Sequence, residues 1–581
     1  MTDPRSPTPQ ARTIGTAEAR PPSLLLTALL APRRTPWLLG AAAILGLLYV
    51  LLTFDAGFLL GRGPFWAFPQ GPWLMDSRDL VPSIDLIDSL IGYIGFLHSP
   101  WTLPIFYVPA IGTPAGTNVM FMGVVPIAAL LGRIASAATG HFILPDGIWL
   151  LSCFVLSAVC AAWLMTVCGQ RSLLAAIAAS LLAVSAPTLL HRFGHPSLMA
   201  HFLVIGALCL YVKFERAPTS PNYAPAWAAW LGLGLFINAY IFGMAAAIFA
   251  ASLLRRWRRQ WPRPALLEPI CIGAVLVGLL YLIGYVGPGT GSSPSAGGFG
   301  AASMNLLSPF WPQRSGLFPG TEIQDGTGVQ YEGFSYLGAG ALALGIAVLA
   351  TKPEWLLAQA RRHAELCIIL ALLTAFALSN VVFLGPYRLF AIELGPRLEQ
   401  LVGVYRSSGR MFWPAYYALM FGFLLGALRF VNLPWQVGLT VACCALQLAD
   451  AEPLRERLTY LTTHPDDMLL KQSDWSDRID RARVVEIYPT FWCSAPGEPV
   501  LASIELQLFA VRADRPFNSV YNSRLQPDCR AERDQLMAGP WSPETLYILL
   551  AHGYPGAGEF IPPGLACHRF AYGTWCFGPN K

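Results

Sequence analysis

The chain has 581 residues, of which 54% are hydrophobic and 13% charged, and its mean hydropathy is +0.48. Soluble domains carry roughly 25% charged residues, so this composition excludes an ordinary soluble globular protein. The formal net charge of +5 is modest for the length and gives no reason to expect a nucleic-acid partner.

The N-terminal segment 1–36 is rich in Pro, Ala and Thr, which predicts a disordered tail. Arginines precede the first apolar run and favour a cytoplasmic N-terminus; they are Arg5, Arg12, Arg20, Arg33 and Arg34. No small-residue cleavage site follows the apolar run 37–54. We therefore expect a retained helix there and not a signal peptide.

Residues 37–450 consist of long apolar segments separated by short basic or Gly/Pro-rich joints. An apolar run of about 18 or more residues crosses a bilayer as a helix, because the backbone must satisfy its own hydrogen bonds in hydrocarbon. Membrane spans are predicted at 37–54, 147–168, 172–190, 197–213, 226–239, 240–254, 265–286, 334–350, 364–384, 411–430 and 434–449.

The apolar segment 119–138 is the exception to this pattern. Counting it as a span would place the basic run 255–259 outside, against the positive-inside rule. We predict that it lies in, or dips into, the outer leaflet. The result is an all-α transmembrane bundle of about eleven spans with its C-terminus outside. Four segments face outward: 55–146, 191–196, 287–333 and 385–410. The first of them is a large loop with interfacial helices.

Residues 451–581 are more polar and predict a small soluble domain of the α/β or α+β class. Strand-like runs occur at 483–488 and 503–511, and helical signals near 530–537 and 543–551.

Four cysteines of this domain, Cys493, Cys529, Cys567 and Cys576, predict two disulfides with three possible pairings. Closeness in sequence favours Cys567 with Cys576, and hence Cys493 with Cys529. The alternative is four reduced thiols in a cytoplasmic domain.

The first outward loop begins with the acidic stretch MDSRDLVPSIDLIDS. Asp79 suits a helix N-cap with Pro82 in the first turn. Asp85 and Asp88 would lie opposite an apolar face, the pattern of a helix on the membrane surface; that face comprises Ile84, Ile87, Ile91 and Ile94. Partial desolvation there raises a carboxyl pKa toward the range of a general base. Alternatively, the carboxylates form only the solvated face of such a helix.

Two basic clusters border other predicted spans. His191 and His195 have a helical spacing, but Gly194 and Pro196 interrupt a helix, so we predict no metal site there. Together with Arg192 they suit either a phosphate or carboxylate contact or a structural turn. In the second cluster, Arg406 and Arg410 suit bidentate phosphate binding, the alternative being interfacial anchoring. Asn305 and Glu332 precede a further span and face the same side.

The segments DLIDSLIGYIGFLHSPW, HRFGHPSLMAH, NLLSPF, YEGFSYLG and YRSSGRMFW are similar to an uncharacterised bacterial membrane family with GT-C-like organisation. The plan of residues 37–450 also resembles the GT-C glycosyltransferases, which take sugars from polyprenyl-phosphate carriers. In that plan an acidic residue of the first outer loop acts as base or orients the acceptor. Counting back seven residues from Gly92 gives Asp85, with Asp79 as the second choice. The stretch 122–126 departs from the plan, because it lacks a second acidic residue.

The resemblance implies a glycosyltransferase in the bacterial inner membrane, with a cytoplasmic N-terminus and a periplasmic C-terminal domain. Arg406 and Arg410, with Arg192 or His195, would bind the donor phosphate, and Glu332 and Asn305 would line the substrate site. The acceptor would be a glycan or lipid. No cofactor is firmly implied, and the need for a divalent metal and the identity of protein partners stay open. The alternatives are a transporter or flippase of lipid-linked glycans and a catalytically inactive scaffold.

Overall fold

A computed structural model describes residues 29–67, 71–72, 82–83, 85–259, 267–287, 299–321, 324–430, 433–464, 467–495, 497–524, 527–551, 553–554, 561–562 and 565–579. Helices dominate these residues. They are α1 Thr35–Thr53, α2 Ala56–Leu59, α3 Asp85–His98, α4 Pro126–Thr139, α5 Asp146–Val167, α6 Leu173–Val184, α7 Pro187–Leu190, α8 His201–Arg216, α9 Tyr223–Leu235, α10 Ala239–Arg258, α11 Leu267–Ile283, α12 Ala339–Thr351, α13 Pro353–Arg362, α14 Ala364–Leu378, α15 Pro396–Gly403, α16 Trp413–Phe430, α17 Leu433–Thr463, α18 Gln472–Arg481, α19 Glu498–Arg512 and α20 Cys529–Ala538.

The strands are short and form four separate sheets. They are β1 Gly71–Pro72, β2 Pro82–Ser83, β3 Tyr107–Val108, β4 Thr117–Asn118, β5 Val381–Leu384, β6 Tyr387–Ala391, β7 Val484–Tyr488, β8 Thr545–Leu550, β9 Ala566–Phe570 and β10 Gly573–Phe577. The first six form two-stranded pairs between helices, and the last four form one sheet near the C-terminus.

Among the described residues, seven helical stretches are long and apolar enough to cross a membrane. They are Thr35–Thr53, Asp146–Val167, Leu173–Leu190, Pro196–Arg216, Ala239–Arg258, Ser408–Phe430 and Trp435–Thr463. Each coincides with a predicted span, and together they support a membrane protein. The other predicted spans fall on α9, α11, α14 and the α12–α13 pair, which is bent by 99°. These helices are shorter, so helix length does not establish the count of about eleven.

Segment 119–138 is not one continuous helix, and its predicted exclusion from the spans stays a prediction. A 3₁₀ turn at Val119–Met122 is followed by Gly123, whose φ of +85° ends it, and α4 starts at Pro126. With 14 residues at 1.5 Å per residue, α4 is shorter than a bilayer core of about 30 Å, as are α9 and α14, so its length agrees with its exclusion from the spans but does not establish it.

The prediction of a surface helix over the acidic stretch is wrong in two respects. The helix α3 begins only at Asp85, because Pro82–Ser83 pairs with Gly71–Pro72 as a strand. Leu86 to Phe96 are all buried, because α19 packs on one side and the 119–124 segment on the other. An apolar helical face predicts burial, but its sequence does not distinguish lipid from protein as the cover.

The C-terminal sheet has the strand order β7-β8-β10-β9, with β7 parallel to β8 and the other pairs antiparallel. The predicted strand at 483–488 and the helix at 530–537 are confirmed as β7 and α20. Two assignments are wrong: 503–511 lies in the helix α19, and 543–551 holds the strand β8. Residues 503–511 and the strand Thr545–Leu550 are buried on every side, and such segments lack the one-sided periodicity that separates helix from strand.

Two disulfides join Cys493 to Cys529 and Cys567 to Cys576. This confirms the favoured pairing. The second bridge links directly opposed positions of β9 and β10, while the first ties the start of α20 to the segment after β7.

One end of the bundle carries a buried charge network. The Arg255 guanidinium donates to Glu215 at 2.8 Å and to Glu365 at 3.0 Å, which joins α8, α10 and α14. Arg258 and Arg259 pair with the same two carboxylates. We call this the Arg255 end. The opposite end of α10 approaches the residues described next, since the Tyr240 ring lies 4.9 Å from the Arg410 guanidinium carbon.

Candidate functional site

The candidate site lies where four segments meet at the end of the bundle opposite Arg255. These segments are the start of α3, the turn 191–195, the 3₁₀ turn Gln330–Gly333 and the segment 406–412. Glycines permit the approach of the last two: a Cβ on Gly409 would collide with the Cα of Gly333. Glu332 and Arg410 are brought together by this contact.

Glu332 is held by two arginines. Its Oε2 accepts from Arg192 Nη1 at 2.7 Å and from Arg410 Nη2 at 2.5 Å, and Arg192 also donates to the Glu332 carbonyl. All three residues are at most 9% exposed. Burial alone would raise the pKa of Glu332, but the charges of Arg410 and Arg192 hold it well below its ordinary value. The trio therefore keeps a net positive charge, and Glu332 stays ionised.

His195 lies between two carboxylates. Its Nδ1 is 3.3 Å from Asp85 Oδ2, and its Nε2 is 3.8 Å from Glu332 Oε1. The Asp85 and His195 side chains are 16% and 15% exposed, so they form the accessible part of the site. A carboxylate oriented by an imidazole at this distance is suited to accept a proton from a bound hydroxyl.

Asp88 is one helical turn from Asp85 and has a different environment. It is 2% exposed, and its Oδ2 has no hydrogen-bond partner within the described part of the chain. Burial, together with the charge of Asp85, raises the pKa of Asp88 well above its ordinary value. The neighbouring carboxylates thus differ: Asp85 is accessible, whereas Asp88 is buried and has a raised pKa.

The C-terminal region adds Tyr521 to this site. The charge of Asp85, followed by burial, raises the pKa of the Tyr521 phenol well above its ordinary value, while Arg406 opposes this. Asp88 and Glu332 act on the same phenol. The segment carrying Tyr521 is fixed to the bundle, since Ser523 N–H donates to the Phe121 carbonyl at 3.1 Å.

Asn305 stabilises the turn that carries Glu332. Its amide donates to Gln330 at 3.1 Å and to the Gly385 carbonyl at 2.8 Å, and its Oδ1 accepts from Leu307 and Gly385 N–H. These bonds use the amide fully. The structure therefore places Asn305 as a brace for the turn that carries Glu332, and its proposed substrate contact stays a prediction.

Asp79 lies outside the described residues. Of the other predicted residues, Asp85, His195, Glu332, Arg192 and Arg410 meet, and the charge of Arg406 acts to lower the pKa of Tyr521. Sequence analysis missed Tyr521, because it is contributed by the distant C-terminal region. The loop residues around it, such as Pro516 and Asn522, signal only a turn.

Within the described ranges, no group of three or more His, Cys, Asp or Glu side chains is arranged to hold a metal ion.

The helices and the site define the class: a helical membrane protein with a charged site at one end of its bundle. Residues 43–452 match the family described as Domain of unknown function (DUF6311), and residues 474–575 match the DUF6311 C-terminal domain. The chain belongs to the DUF6311 family. No curated protein matches it.

Proposed function

We propose that this protein is an integral membrane glycosyltransferase of the GT-C type that uses a polyprenyl-phosphate-linked sugar. The observation that carries the proposal is the placement of Asp85, partly accessible and 3.3 Å from His195, beside the positively charged trio of Arg192, Glu332 and Arg410. A base and a cationic patch at one membrane face match the needs of sugar transfer from a lipid phosphate.

In the proposed reaction, the Asp85 carboxylate accepts the proton of an acceptor hydroxyl. The hydroxyl oxygen forms a bond to the anomeric carbon while the bond from that carbon to the phosphate oxygen breaks. The electron pair leaves with polyprenyl phosphate, and the anomeric centre inverts. Arg410 and Arg192, with Arg406, stabilise the charge on the departing phosphate.

The proposal includes about eleven spans in a bacterial inner membrane, a cytoplasmic Arg255 end and a periplasmic site. Two observations support it. Disulfides persist in oxidising compartments, and the C-terminal region carries two. The basic residues 255–259 lie at the opposite end of the bundle from Asp85. In this arrangement the shorter helices α9, α11 and α14 also cross the membrane, and the bilayer thins locally around them.

A catalytically inactive scaffold of a polysaccharide-assembly complex is the second candidate. It is favoured by the absence of a carboxylate in 122–126 and by the engagement of Glu332 with two arginines. In the described part of the site, Asp85 is then the more accessible carboxylate, its side chain being 16% exposed against 11% for Glu332.

The test is donor turnover by the full chain in lipid nanodiscs. Polyprenyl-phosphate hexoses and pentoses are supplied with membrane glycans as acceptors, and released polyprenyl phosphate is measured. We expect Asp85→Asn to lower turnover by about 10²-fold or more, because the proton acceptor is lost. Donor binding should persist in that variant, whereas Arg406→Ala should weaken it because an arginine–phosphate contact is lost.

Asp514→Asn is the matched control. Its carboxylate is 77% exposed at the other end of α3, beside His98, and the change should leave turnover unaltered. Near-normal turnover in Asp85→Asn would move the assignment of the base to Asp79. Wild-type protein that releases no polyprenyl phosphate from any donor would contradict the enzyme and leave the scaffold.

A further inference from the structure

Three aromatic rings of the C-terminal region cluster beside the candidate site. The ring centroids of Phe491 and Tyr521 are 4.7 Å apart, those of Trp492 and Tyr521 5.4 Å, and those of Phe491 and Trp492 5.3 Å. We call these three residues the aromatic cluster.

Tyr521 lies two residues before Ser523, whose N–H donates to the Phe121 carbonyl at 3.1 Å. Gly123 follows in the same segment, and a Cβ there would lie 3.4 Å from the Asp85 carbonyl oxygen, which places the cluster beside the start of α3.

The backbone under the aromatic cluster is fixed from several directions. The 3₁₀ turn Phe491–Cys493 is tied to α20 by the Cys493–Cys529 disulfide. Phe491 N–H donates to Ser519 Oγ at 3.1 Å, and Trp492 Nε1–H donates to the Asn522 carbonyl at 3.0 Å. Rings held in this way lose little conformational freedom when a ligand binds, which favours recognition.

Trp492 remains 38% exposed despite these ties. Exposed tryptophans of membrane proteins often anchor at the lipid head groups. Here the indole N–H donates within the domain, and the indole ring contacts Tyr521. The Tyr521 phenol in turn experiences the charges of carboxylates and an arginine. Charged neighbours disfavour an acyl chain and favour a ligand that has both an apolar face and hydroxyl groups.

We propose that the aromatic cluster is a stacking subsite for a pyranose ring of a glycan acceptor. The C–H face of such a ring packs on Trp492, while its hydroxyls are directed toward Tyr521 and Asp85. This inference rests on the proposed function and deepens it, because it identifies the acceptor as a carbohydrate and places one of its hydroxyls near the base.

Glycan binding by the full chain in nanodiscs tests the inference without requiring turnover. The probes are cellohexaose, maltohexaose and α-1,6-mannohexaose, followed by saturation-transfer NMR and tryptophan fluorescence. We expect at least one probe to bind and Trp492→Ala to weaken its binding about 5- to 10-fold, the scale of one aromatic stacking contact. Trp492→Phe keeps an aromatic face and should retain most of the affinity.

Trp257→Ala is the control, because Trp257 is 51% exposed at the Arg255 end and should not affect binding. The inference is overturned if no probe binds the wild type, or if Trp492→Ala binds as tightly as the wild type. Measuring donor turnover as well separates the proposed enzyme activity from the proposed stacking subsite. Glycan binding without donor turnover contradicts only the enzyme, and donor turnover without glycan binding contradicts only the subsite.

Discussion

At the residue scale, neighbouring carboxylates acquire different properties from their surroundings. Asp85 and Asp88 belong to one helix turn, yet only Asp85 is accessible and paired with His195. Glu332 is ionised because two guanidinium groups compensate its burial. The sequence predicted the participation of Asp85 and Glu332, but not that the pKa of Asp88 is raised and that of Glu332 lowered, because the first depends on burial and the second on arginines from distant segments.

We predict that Glu332→Gln destabilises the protein. The substitution keeps the size of the side chain but leaves Arg192 and Arg410 buried without a counter-charge, which costs about 3–5 kcal/mol. Unfolding in mixed micelles with increasing SDS measures the change. Glu354→Gln on α13 is the control, since that residue is exposed. Equal stability of the two variants would show that the trio is not a structural ion pair.

At the element scale, α19 shows why buried segments are hard to assign. Its residues Ala502 to Val511 are buried all around, and among them is Glu505, which is 0% exposed. Glu505 accepts from the Leu469 and Leu470 N–H groups at 2.8 and 2.7 Å. It thereby holds the segment that precedes α18 against α19. The sequence gives no periodic signal for such a contact, because the partners lie on different elements.

Glu505 also predicts a pH dependence. Burial, opposed by the two N–H bonds, raises its pKa from 4.5 to about 7. The folded state therefore holds this proton more tightly than the unfolded chain does. Stability from this group is present below about pH 4.5 and is lost as the pH rises through about 7. The thermal midpoint of the C-terminal region, followed by near-UV circular dichroism, should fall over this interval.

Glu505→Gln should make the thermal midpoint of the C-terminal region less dependent on pH, because the titrating group is removed. Glu544→Gln should not, since Glu544 is 55% exposed in its pair with Arg483. A thermal midpoint that varies with pH equally in wild type and Glu505→Gln would refute the assignment.

At the scale of the whole molecule, the bundle has two chemically distinct ends. The Arg255 end is joined by arginine–glutamate pairs, and the other end carries the candidate site beneath the C-terminal region. This separation makes the proposed topology testable without knowledge of the substrate.

Reporter fusions test the topology directly. A fusion after Arg259 should report the cytoplasm, because the basic run 255–259 is retained there. A fusion after Lys581 should report the periplasm, and maleimide should label Cys493, Cys529, Cys567 and Cys576 only after reduction. Both reporters on one side would contradict the odd number of spans, five, that is predicted between Arg259 and the C-terminus.

By itself, the sequence determined the membrane class, the places of the long apolar helices and the paired cysteines, because these depend on local composition and spacing. It also predicted which charged residues would belong to a site. Only the tertiary structure decided that α3 is buried under α19, that α17 continues past 450 to Thr463, and that the segment 521–523 packs on the 119–124 segment beside Asp85. Hydrophobic pattern encodes that a face is covered, whereas the choice of its partner depends on contacts between segments far apart in the chain.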